Sequence, residues 1–324
     1  MQVSAEKIVV LGTGGTIAGK AKAAGDNVGY VAGQVGVQDL LDAVPALTEA
    51  ARGPLQVEQV AQLDSKDMAF AVWATLAARC HQLLTDPAVR AIVITHGTDT
   101  LEETAWFLHS VLDAHKPVVL TCAMRPATAI APDGPQNLLD AMAVATAPGA
   151  HGVLVVCAGA VHGARQVQKV HPYRVDAFSS GEGGPLGWVE EGRVRLAQNW
   201  HQAHAGWAQA ALEKIAKDAP WPRVEIVMNY AGASGSAVDA LARDGVQGLV
   251  VAATGNGTLH HALQAALERA RQAGVAVRVT TRCPQGQVLA LPRAEAALPL
   301  APGLIPVKAR VSLMLELLGA RWPT

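Results

Sequence analysis

The sequence predicts an α/β fold, with a large N-terminal wound-sheet domain followed by a smaller C-terminal α/β domain that contains a parallel sheet. Apolar runs alternate with helical patterns along the chain, which is typical of wound α/β proteins. The chain is 50% apolar but holds only seven Trp, three Tyr and three Phe. Its core must therefore consist mainly of Val, Leu and Ala, the usual filling of helix-covered parallel sheets.

Each element is predicted from its own pattern of apolar residues. Short apolar runs predict strands at 7–12, 90–95, 117–122, 152–157, 224–229, 247–253 and 275–280. Helical spacing predicts helices at 37–44, 66–84, 100–114, 135–147, 235–244, 257–273 and 307–318. Ser65 or Asp67 is a candidate N-cap for the helix at 66–84, and Thr98 or Asp99 for the helix at 100–114.

A change in composition predicts where the two domains meet. Residues 196–222 contain Trp and His but no strand pattern, and they end with prolines at 220 and 222. We interpret this stretch as a linker between an N-terminal domain at 1–195 and a C-terminal domain at 223–324. A chain of 324 residues is long enough for both.

Composition and charge argue against several classes of function. The formal net charge is −1 without a basic run, so there is no electrostatic footprint for nucleic acid. No apolar stretch is long enough to cross a bilayer, and the N-terminus enters a strand without a signal-peptide pattern, which predicts a cytoplasmic protein. His201 and His204 have no Cys or acidic partner nearby, so no metal site is predicted. Structural disulfides and zinc are not expected either, because the cysteines show no paired spacing: Cys80, Cys122, Cys157 and Cys283.

The first strand ends in the glycine-rich turn Gly12-Thr13-Gly14-Gly15-Thr16. Glycines leave backbone N–H groups unshielded, so this turn is suited to hold an anion or an oxyanion, with the Thr16 hydroxyl beside it. A dinucleotide fingerprint fits poorly, because Ile17 stands where that motif requires glycine. A purely structural turn stays open as the alternative for the glycines.

A second strand ends in His96-Gly97-Thr98-Asp99-Thr100, with a helix directly after it. Thr98 and Asp99 are either helix caps or parts of a pocket. In a pocket, Asp99 suits an ammonium group, and Thr98 is a nucleophile or a polarising group that needs a charged neighbour. Lys169 supplies that neighbour if it is buried, and otherwise is a solvated charge. Ligands gather outside the carboxyl ends of strands in open α/β sheets, so both motifs point to one shared site.

These motifs resemble the bacterial L-asparaginase family. "LGTGGTIAG" and "ITHGTDTLEETAWFL" carry the resemblance, and it continues in "YVAGQVGVQDLL", "LDSKDM", "KPVVLTCAMRP", "DGPQNLLDA", "GGPLGWV", "NYAGAS", "ATGNGTL" and "KARV". The resemblance implies hydrolysis of the L-asparagine side-chain amide to aspartate and ammonia, without a metal or organic cofactor. It also implies a homotetramer of intimate dimers, with sites at the domain junctions inside each dimer.

The resemblance also implies catalytic roles for five residues. Thr16 matches the nucleophile, which attacks the amide carbon and forms a β-aspartyl ester that water later cleaves. Tyr30 matches the tyrosine that partners this threonine. Thr98, Asp99 and Lys169 match the family's second triad, in which Thr98 helps to activate the attack and to orient water.

Further residues match substrate-binding positions of the family. Ser65 matches a residue that binds the α-carboxylate, Asp99 one that holds the α-ammonium, and Asn256 one that the partner subunit contributes near the α-ammonium. Lys66 departs from the pattern, because the family usually has an uncharged or acidic residue there; it either turns outward to solvent or shifts toward the carboxylate. The family's distant glutamate has no clear match, and Glu295 is the nearest acid.

The segment 18–34 is rich in Gly and Ala, which predicts a lid that closes with Tyr30 over the substrate. Two other functions remain as alternatives. One is the amidase subunit of a tRNA-dependent amidotransferase, which normally has an extra N-terminal domain, whereas here the first strand starts by residue 7. The other is a non-catalytic amino-acid-binding protein. The sequence does not separate asparagine from glutamine, which differ by one methylene.

Overall fold

The computed structural model describes residues 6–23, 25–200, 206–217, 219–289, 298–301 and 303–321. The chain forms two compact units, Met1–Gly206 and Trp207–Thr324. No helix among the described residues has the length and apolar character that a bilayer span requires. The predicted α/β fold class is confirmed, because each unit consists of a sheet covered by helices.

The first unit contains ten strands and five helices within its described residues. The strands are β1 (Lys7–Gly14), β2 (Leu55–Leu63), β3 (Val89–Thr95), β4 (Pro117–Thr121), β5 (Gly152–Cys157), β6 (Ala160–Gly163), β7 (Gln168–Lys169), β8 (Phe178–Ser179), β9 (Gly187–Glu190) and β10 (Arg193–Leu196). The helices are α1 (Val37–Asp42), α2 (Leu47–Ala50), α3 (Phe70–Thr85), α4 (Leu101–Val111) and α5 (Gly134–Ala145).

The large sheet of this unit has the order β10-β9-β6-β5-β4-β3-β1-β2. Strands β1 to β5 pair in parallel, and β6, β9 and β10 extend the sheet with antiparallel pairing. The chain winds outward from β1 to β2, then crosses back to β3 and continues in the other direction. The carboxyl ends of β1 and β3 therefore flank a topological switch point, where open α/β sheets form their ligand crevice.

The central parallel strands of this sheet are buried on both faces. Ile8 to Leu11 of β1 and Ala91 to Ile94 of β3 have no exposed surface. Burying each large aliphatic side chain contributes about 1.5–3 kcal/mol, so these two strands form a rigid base for the loops that follow them. β2 was missed from the sequence because it is an edge strand with partly exposed Gln and Glu side chains.

The second unit is a small three-layer α/β structure. Its elements are α6 (Gln209–Ile215), β11 (Val224–Met228), α7 (Ser236–Arg243), β12 (Gly248–Ala253), α8 (His261–Gln272), β13 (Ala276–Thr281) and α9 (Pro306–Leu317). The strands form a parallel sheet in the order β11-β12-β13. Leu249 and Val251 pack with α7 and α8, whereas Gly248 faces Leu313 of α9 on the other side. The stretch that we interpreted as a linker contains α6, which lies within this unit.

Candidate active site

The two threonine motifs pack backbone against backbone at the switch point. Gly15 has a φ of +85°, and a Cβ placed on it would overlap the Cα and nitrogen of Gly97. Only glycine fits such an approach. The turn after β1 and the turn after β3 are thereby held together, which brings Thr16 and Thr98 to the same edge of the sheet.

Thr16 lies in a short 3₁₀ turn, Thr16–Ala18, and its side chain pairs with Tyr30. The Thr16 Oγ1 and the Tyr30 hydroxyl are 2.7 Å apart, and either group is able to donate the hydrogen bond. The whole Thr16 residue is only 6% exposed. A hydroxyl pair of this kind can pass a proton from one oxygen to the other, so Tyr30 is positioned to take the proton that a Thr16 nucleophile must lose.

The segment that carries Tyr30 is tied to the body of the unit by backbone bonds. Lys20 and Val31 exchange two N–H···O bonds of 2.9 Å, and the Ala18 carbonyl accepts from the N–H groups of Gln34 and Val35. Among the described residues of this segment, Val28 and Val31 are 77% and 60% exposed. Tyr30 therefore sits at the inner side of a loop whose outer side chains face solvent.

Lys169 joins the second threonine motif through two hydrogen bonds. Its ammonium donates to Thr98 Oγ1 at 2.8 Å and to Asp99 Oδ1 at 2.6 Å. The Lys169 side chain is 17% exposed and that of Asp99 is 51% exposed. Because a protonated Lys169 only donates, it orients the Thr98 oxygen; to accept the Thr98 proton it must first lose one of its own.

The predicted helix caps are wrong, and the reason bears on the site. Helix α4 begins at Leu101, with Thr100 at its cap position and no side-chain cap bond. Thr98 and Asp99 instead direct their side chains to Lys169. Helix α3 likewise begins at Phe70, because the residues from Ser65 to Asp67 form a separate 3₁₀ turn.

Ser65 lies against the second motif. The Asp99 N–H donates to Ser65 Oγ at 3.1 Å, and the Thr100 hydroxyl donates to the Ser65 carbonyl at 2.8 Å. The Ser65 residue is 2% exposed. Since its oxygen already accepts one bond, its own O–H proton is suited to donate to an anionic group such as a carboxylate.

Lys66 takes the first of the two positions that the sequence left open. Its ammonium is bonded to Asp64 Oδ2 at 2.9 Å and to Asp67 Oδ2 at 3.0 Å, and its side chain is 60% exposed. The hydrogen bond that Lys66 donates to Asp64, and then the one it donates to Asp67, raise the pKa of Lys66 to about 12. The Lys66 ammonium is therefore paired with two neighbouring carboxylates in an exposed cluster of ion pairs.

Asn256 belongs to the second unit, where its amide clamps a backbone position. Its Oδ1 accepts from the Leu289 N–H at 2.7 Å, and its Nδ2 donates to the Leu289 carbonyl at 3.3 Å. An amide oxygen has a second lone pair, so this clamp leaves Asn256 able to accept one more bond. Glu295 lies outside the described residues.

Sequence reasoning missed Glu102, which supports Lys169 from α4. The Lys169 N–H donates to Glu102 Oε2 at 2.6 Å, across 67 positions of sequence. Together with the ammonium bonds, this contact ties both the backbone and the side chain of Lys169 to the second motif. Glu102 and Glu103 look in the sequence like ordinary acids in the first turn of a helix, where they stabilise the helix dipole.

His96 is a second missed residue, and its buried ring holds the turn after β3 in place. Its Nδ1 is 2.7 Å from the Gly97 carbonyl, its Nε2 is 2.9 Å from Thr104 Oγ1, and the Trp73 Nε1 donates to Thr104 at 2.8 Å. The Gly97 carbonyl only accepts, so a neutral His96 carries its proton on Nδ1 and accepts from Thr104. Burial lowers the pKa of His96 to about 4, which keeps the ring neutral.

Comparison with known proteins finds matches for both parts of the chain. Residues 7–202 match the family described as "Asparaginase, N-terminal", and residues 223–321 match the "Glutaminase/Asparaginase C-terminal domain". The chain belongs to the asparaginase family. Both units are covered, and the N-terminal match contains Thr16, Tyr30, Ser65, Thr98, Asp99 and Lys169.

Individual members of the asparaginase family are similar over nearly the whole chain. L-asparaginase 2 of Escherichia coli is 38% identical over 322 residues, which cover 98% of this chain and 90% of the relative. A glutaminase-asparaginase of Pseudomonas fluorescens is 38% identical, covering 83% of this chain and 74% of the relative. The crystal structure of a probable cytoplasmic L-asparaginase from Campylobacter jejuni superposes with a TM-score of 0.89 at 38% identity, covering 97% and 96% of the two chains.

Proposed function

We propose that this protein is an L-asparagine amidohydrolase, which releases L-aspartate and ammonia, with L-glutamine as a further substrate. The observation that carries the proposal is the pair of threonines on neighbouring strand ends, each with its own hydrogen-bond partner: Tyr30 for Thr16, and Lys169 with Asp99 for Thr98. The names of the asparaginase and glutaminase-asparaginase relatives support the substrate class.

The first half of the proposed reaction uses Thr16 and Tyr30. Thr16 Oγ1 attacks the side-chain amide carbon, so a C–O bond forms and the C–N bond then breaks. The Tyr30 oxygen takes the Thr16 proton while the phenol proton passes to the departing nitrogen, which leaves as ammonia. A β-aspartyl ester of Thr16 remains. Negative charge develops on the amide oxygen, and the Thr98 backbone N–H is our candidate donor to it.

The second half cleaves the ester with water. Thr98 and Lys169 orient this water, since the Lys169 ammonium holds Thr98 Oγ1 at 2.8 Å. Attack by water forms a new C–O bond and breaks the bond to Thr16, which regains its proton. Aspartate is then free to leave, and no metal or organic cofactor takes part in the proposed steps.

The charged ends of the amino acid position the amide. The Asp99 carboxylate, half exposed, attracts the α-ammonium, and the Ser65 hydroxyl donates to the α-carboxylate. Holding both ends converts the attack into an effectively unimolecular step, which is where much of the rate enhancement arises. Lys66 takes a minor part in binding, because its charge is already paired with Asp64 and Asp67.

A trapping experiment tests the proposal. Purified protein incubated with L-asparagine is expected to release ammonia and aspartate in equal amounts, and added hydroxylamine is expected to divert the product to the β-hydroxamate, because an acyl-enzyme is present. L-glutamine in place of asparagine measures the second substrate. Tight binding by calorimetry without ammonia release would instead identify an amino-acid-binding protein. Activity that appears only with a co-purified subunit would identify the amidotransferase component.

The oligomer is part of the same proposal. We infer a homotetramer of intimate dimers, in which Asn256 of the partner subunit uses its remaining lone pair to accept from the substrate ammonium. Light scattering measures the mass. Mixing Thr16→Val and Asn256→Ala subunits is expected to restore activity, because each hybrid dimer then holds one site with both residues intact. Failure of the mixture to recover activity, with subunit exchange shown by mass, contradicts the shared site.

A cytoplasmic location also stays a proposal. It is supported by the similarity to the Campylobacter jejuni protein, which is described as a probable cytoplasmic L-asparaginase. Fractionation of the source cells, with immunodetection of the protein, tests it directly.

A further inference from the structure

Two cysteines that are far apart in the sequence lie side by side at the carboxyl ends of β4 and β5. Cys122 directly follows β4, and Cys157 is the last residue of β5. The preceding residues, Thr121 and Val156, are register partners in the parallel sheet. The sulfurs of Cys122 and Cys157 lie 3.7 Å apart, and both residues are buried, with 0% and 2% exposure.

We propose that Cys122 and Cys157 are a redox-sensitive pair, which hydrogen peroxide converts to a disulfide that slows the reaction at the neighbouring site. The effect on rate rests on the proposed function, whereas formation of the disulfide does not.

The backbone geometry suits a disulfide. Neighbouring strands lie about 4.8 Å apart, which falls within the Cα separation that disulfides adopt. Disulfide sulfurs are about 2.0 Å apart, so oxidation requires the two thiols to approach by roughly 1.7 Å. Small rotations of two side chains at the end of the sheet can supply such a movement.

The pair is connected to Lys169 through the hairpin that carries it. The Cys157 thiol donates to the Val175 carbonyl at 3.8 Å, and Val175 lies in the turn between β7 and β8. Lys169 belongs to β7 and is the register partner of Phe178 in β8. A Cys157 whose sulfur is bonded to Cys122 has no proton left for Val175, so oxidation releases one of the contacts that place this hairpin.

Asn137 links the same pair to a second loop. Its Nδ2 donates to the Cys122 carbonyl at 2.9 Å, and its Oδ1 accepts from the Ala158 N–H at 2.9 Å. The carboxylate of Asp133, 3.3 Å from Asn137 Nδ2, accepts from the N–H groups of Met124 and Arg125 at 2.9 Å each. Any backbone adjustment at Cys122 that accompanies disulfide closure is therefore passed to the loop that follows β4.

Residues that adjoin Cys157 line a surface groove. Ala158, Val175 and Asn137, all neighbours of the pair, line a groove of about 1160 Å³ that opens to solvent. The hydrogen bond to Cys157, together with burial, raises the pKa of the Cys122 thiol well above its ordinary value. Cys122 therefore stays protonated, and we assign Cys157 as the sulfur that meets the oxidant first.

The proposed chemistry consumes one peroxide. The Cys157 sulfur attacks one oxygen of hydrogen peroxide, the O–O bond breaks, and the departing hydroxide takes the Cys157 proton as water, which leaves a sulfenic acid. The Cys122 sulfur then attacks the Cys157 sulfur, the S–O bond breaks, and the second hydroxide takes the Cys122 proton. Two thiols are thereby oxidised by two electrons, and peroxide is reduced to two waters.

The test uses the full-length protein and two matched control cysteines. Protein treated with hydrogen peroxide is unfolded, alkylated and digested without reduction, and peptide masses identify the link. We expect a Cys122–Cys157 crosslink that is about 2 Da lighter than the two thiol peptides, since two hydrogens are lost, and at least a fivefold slower ammonia release that dithiothreitol reverses. Cys80→Ala and Cys283→Ala should behave like the parent, because Cys80 lies on α3 and Cys283 follows β13.

Cys122→Ala and Cys157→Ala should retain the parent rate after peroxide treatment, and their melting temperatures report whether they fold. Recovery of both cysteines fully alkylated after treatment, with only Cys283 oxidised, overturns the redox pair. A crosslink that leaves the rate unchanged overturns its coupling to the site. If the reduced protein releases no ammonia at all, the proposed function is wrong. The crosslink measurement still shows whether Cys122 and Cys157 form a disulfide.

Discussion

Thr16 is hydrogen-bonded to a phenol that a surface segment carries, whereas Thr98 is hydrogen-bonded to an ammonium that is held in place by several contacts. Tyr30 reaches Thr16 from the exposed segment between Lys20 and Val31. Lys169 is bonded to Thr98 and Asp99, and its backbone to Glu102. One half of the site is therefore completed by an exposed segment, and the other by a lysine that α4 and the turn after β3 hold in place.

This difference suggests a division of labour. Thr16 depends on a partner that a surface segment supplies, so its reactivity depends on that segment staying in place against the turn after β1. The Lys169–Asp99 ion pair is already formed, so it is suited to orient the amino acid and the water of the second half-reaction. The following predictions test that division, beginning with the largest expected effect.

Replacing the first threonine should almost abolish activity. Thr16→Val keeps the shape of the side chain but removes the oxygen that forms the acyl-enzyme, so we expect kcat to fall on the order of 10⁴-fold. Thr13→Val is the matched control, since the Thr13 hydroxyl is committed to the Thr95 carbonyl at 2.9 Å. Steady-state ammonia release measures both. Similar losses in the two variants would show that the turn, and not the nucleophile, had been damaged.

Replacing Lys169, the lysine that is bonded to Thr98, should lower activity less than replacing Thr16 does. In Lys169→Met the Thr98 hydroxyl loses its orienting donor and Asp99 loses its ion-pair partner, and we expect kcat/KM to fall roughly 10²- to 10³-fold. Hydroxylamine trapping then reveals which half-reaction slows. Accumulation of acyl-enzyme supports a role for Lys169 in the water step; an unchanged partition between water and hydroxylamine argues against it.

The neutral His96 beneath the second motif makes stability depend on pH. In the folded protein burial lowers its pKa to about 4, whereas in the unfolded chain it titrates near 6.5. Above pH 6.5 both states are neutral. Between pH 6.5 and 4 only the unfolded state takes up the proton, so stability falls with decreasing pH, by about 3 kcal/mol in total.

Thermal unfolding from pH 7 to pH 4 measures this effect. His96→Gln should flatten the decline, whereas His115→Gln, which changes an exposed histidine, should follow the parent curve. Parallel curves for all three proteins would mean that His96 takes up its proton equally in both states.

The smallest predicted effect concerns Glu102. Glu102→Gln keeps an oxygen that can accept from the Lys169 N–H but removes the charge, so we expect kcat to fall about two- to fivefold, consistent with about 0.5–1 kcal/mol for a weakened hydrogen bond. Glu102→Ala removes the acceptor and should cost about tenfold. A loss that appears in KM alone would place Glu102 in substrate binding and not in the positioning of Lys169.

Part of this architecture could be predicted from the sequence because its signals are local. The buried runs of β1 and β3 and the glycine-rich turns after them are visible in consecutive residues. The strand order was not visible, since β1 and β3 become neighbours only after the chain has wound through β2 and crossed back. That order is what brings Thr16 and Thr98 to one switch point.

Other features depend on contacts over long sequence distances. Glu102 lies 67 positions from Lys169, and its role follows from a single hydrogen bond. Cys122 and Cys157 lack a paired spacing, yet adjacent strands place their sulfurs 3.7 Å apart. Thr98 and Asp99 have the composition of helix caps, and only the position of Lys169 shows that their side chains turn elsewhere.

The contact between Gly15 and Gly97 has a consequence for anyone who engineers this protein. The smallest possible side chain at position 15 would force the two loops apart. Mutagenesis libraries that aim to change the amide substrate should therefore leave both glycines unchanged and vary other residues of the site. The turns after β1 and β3 touch backbone to backbone at these glycines, so a substitution that displaces one turn also displaces the other.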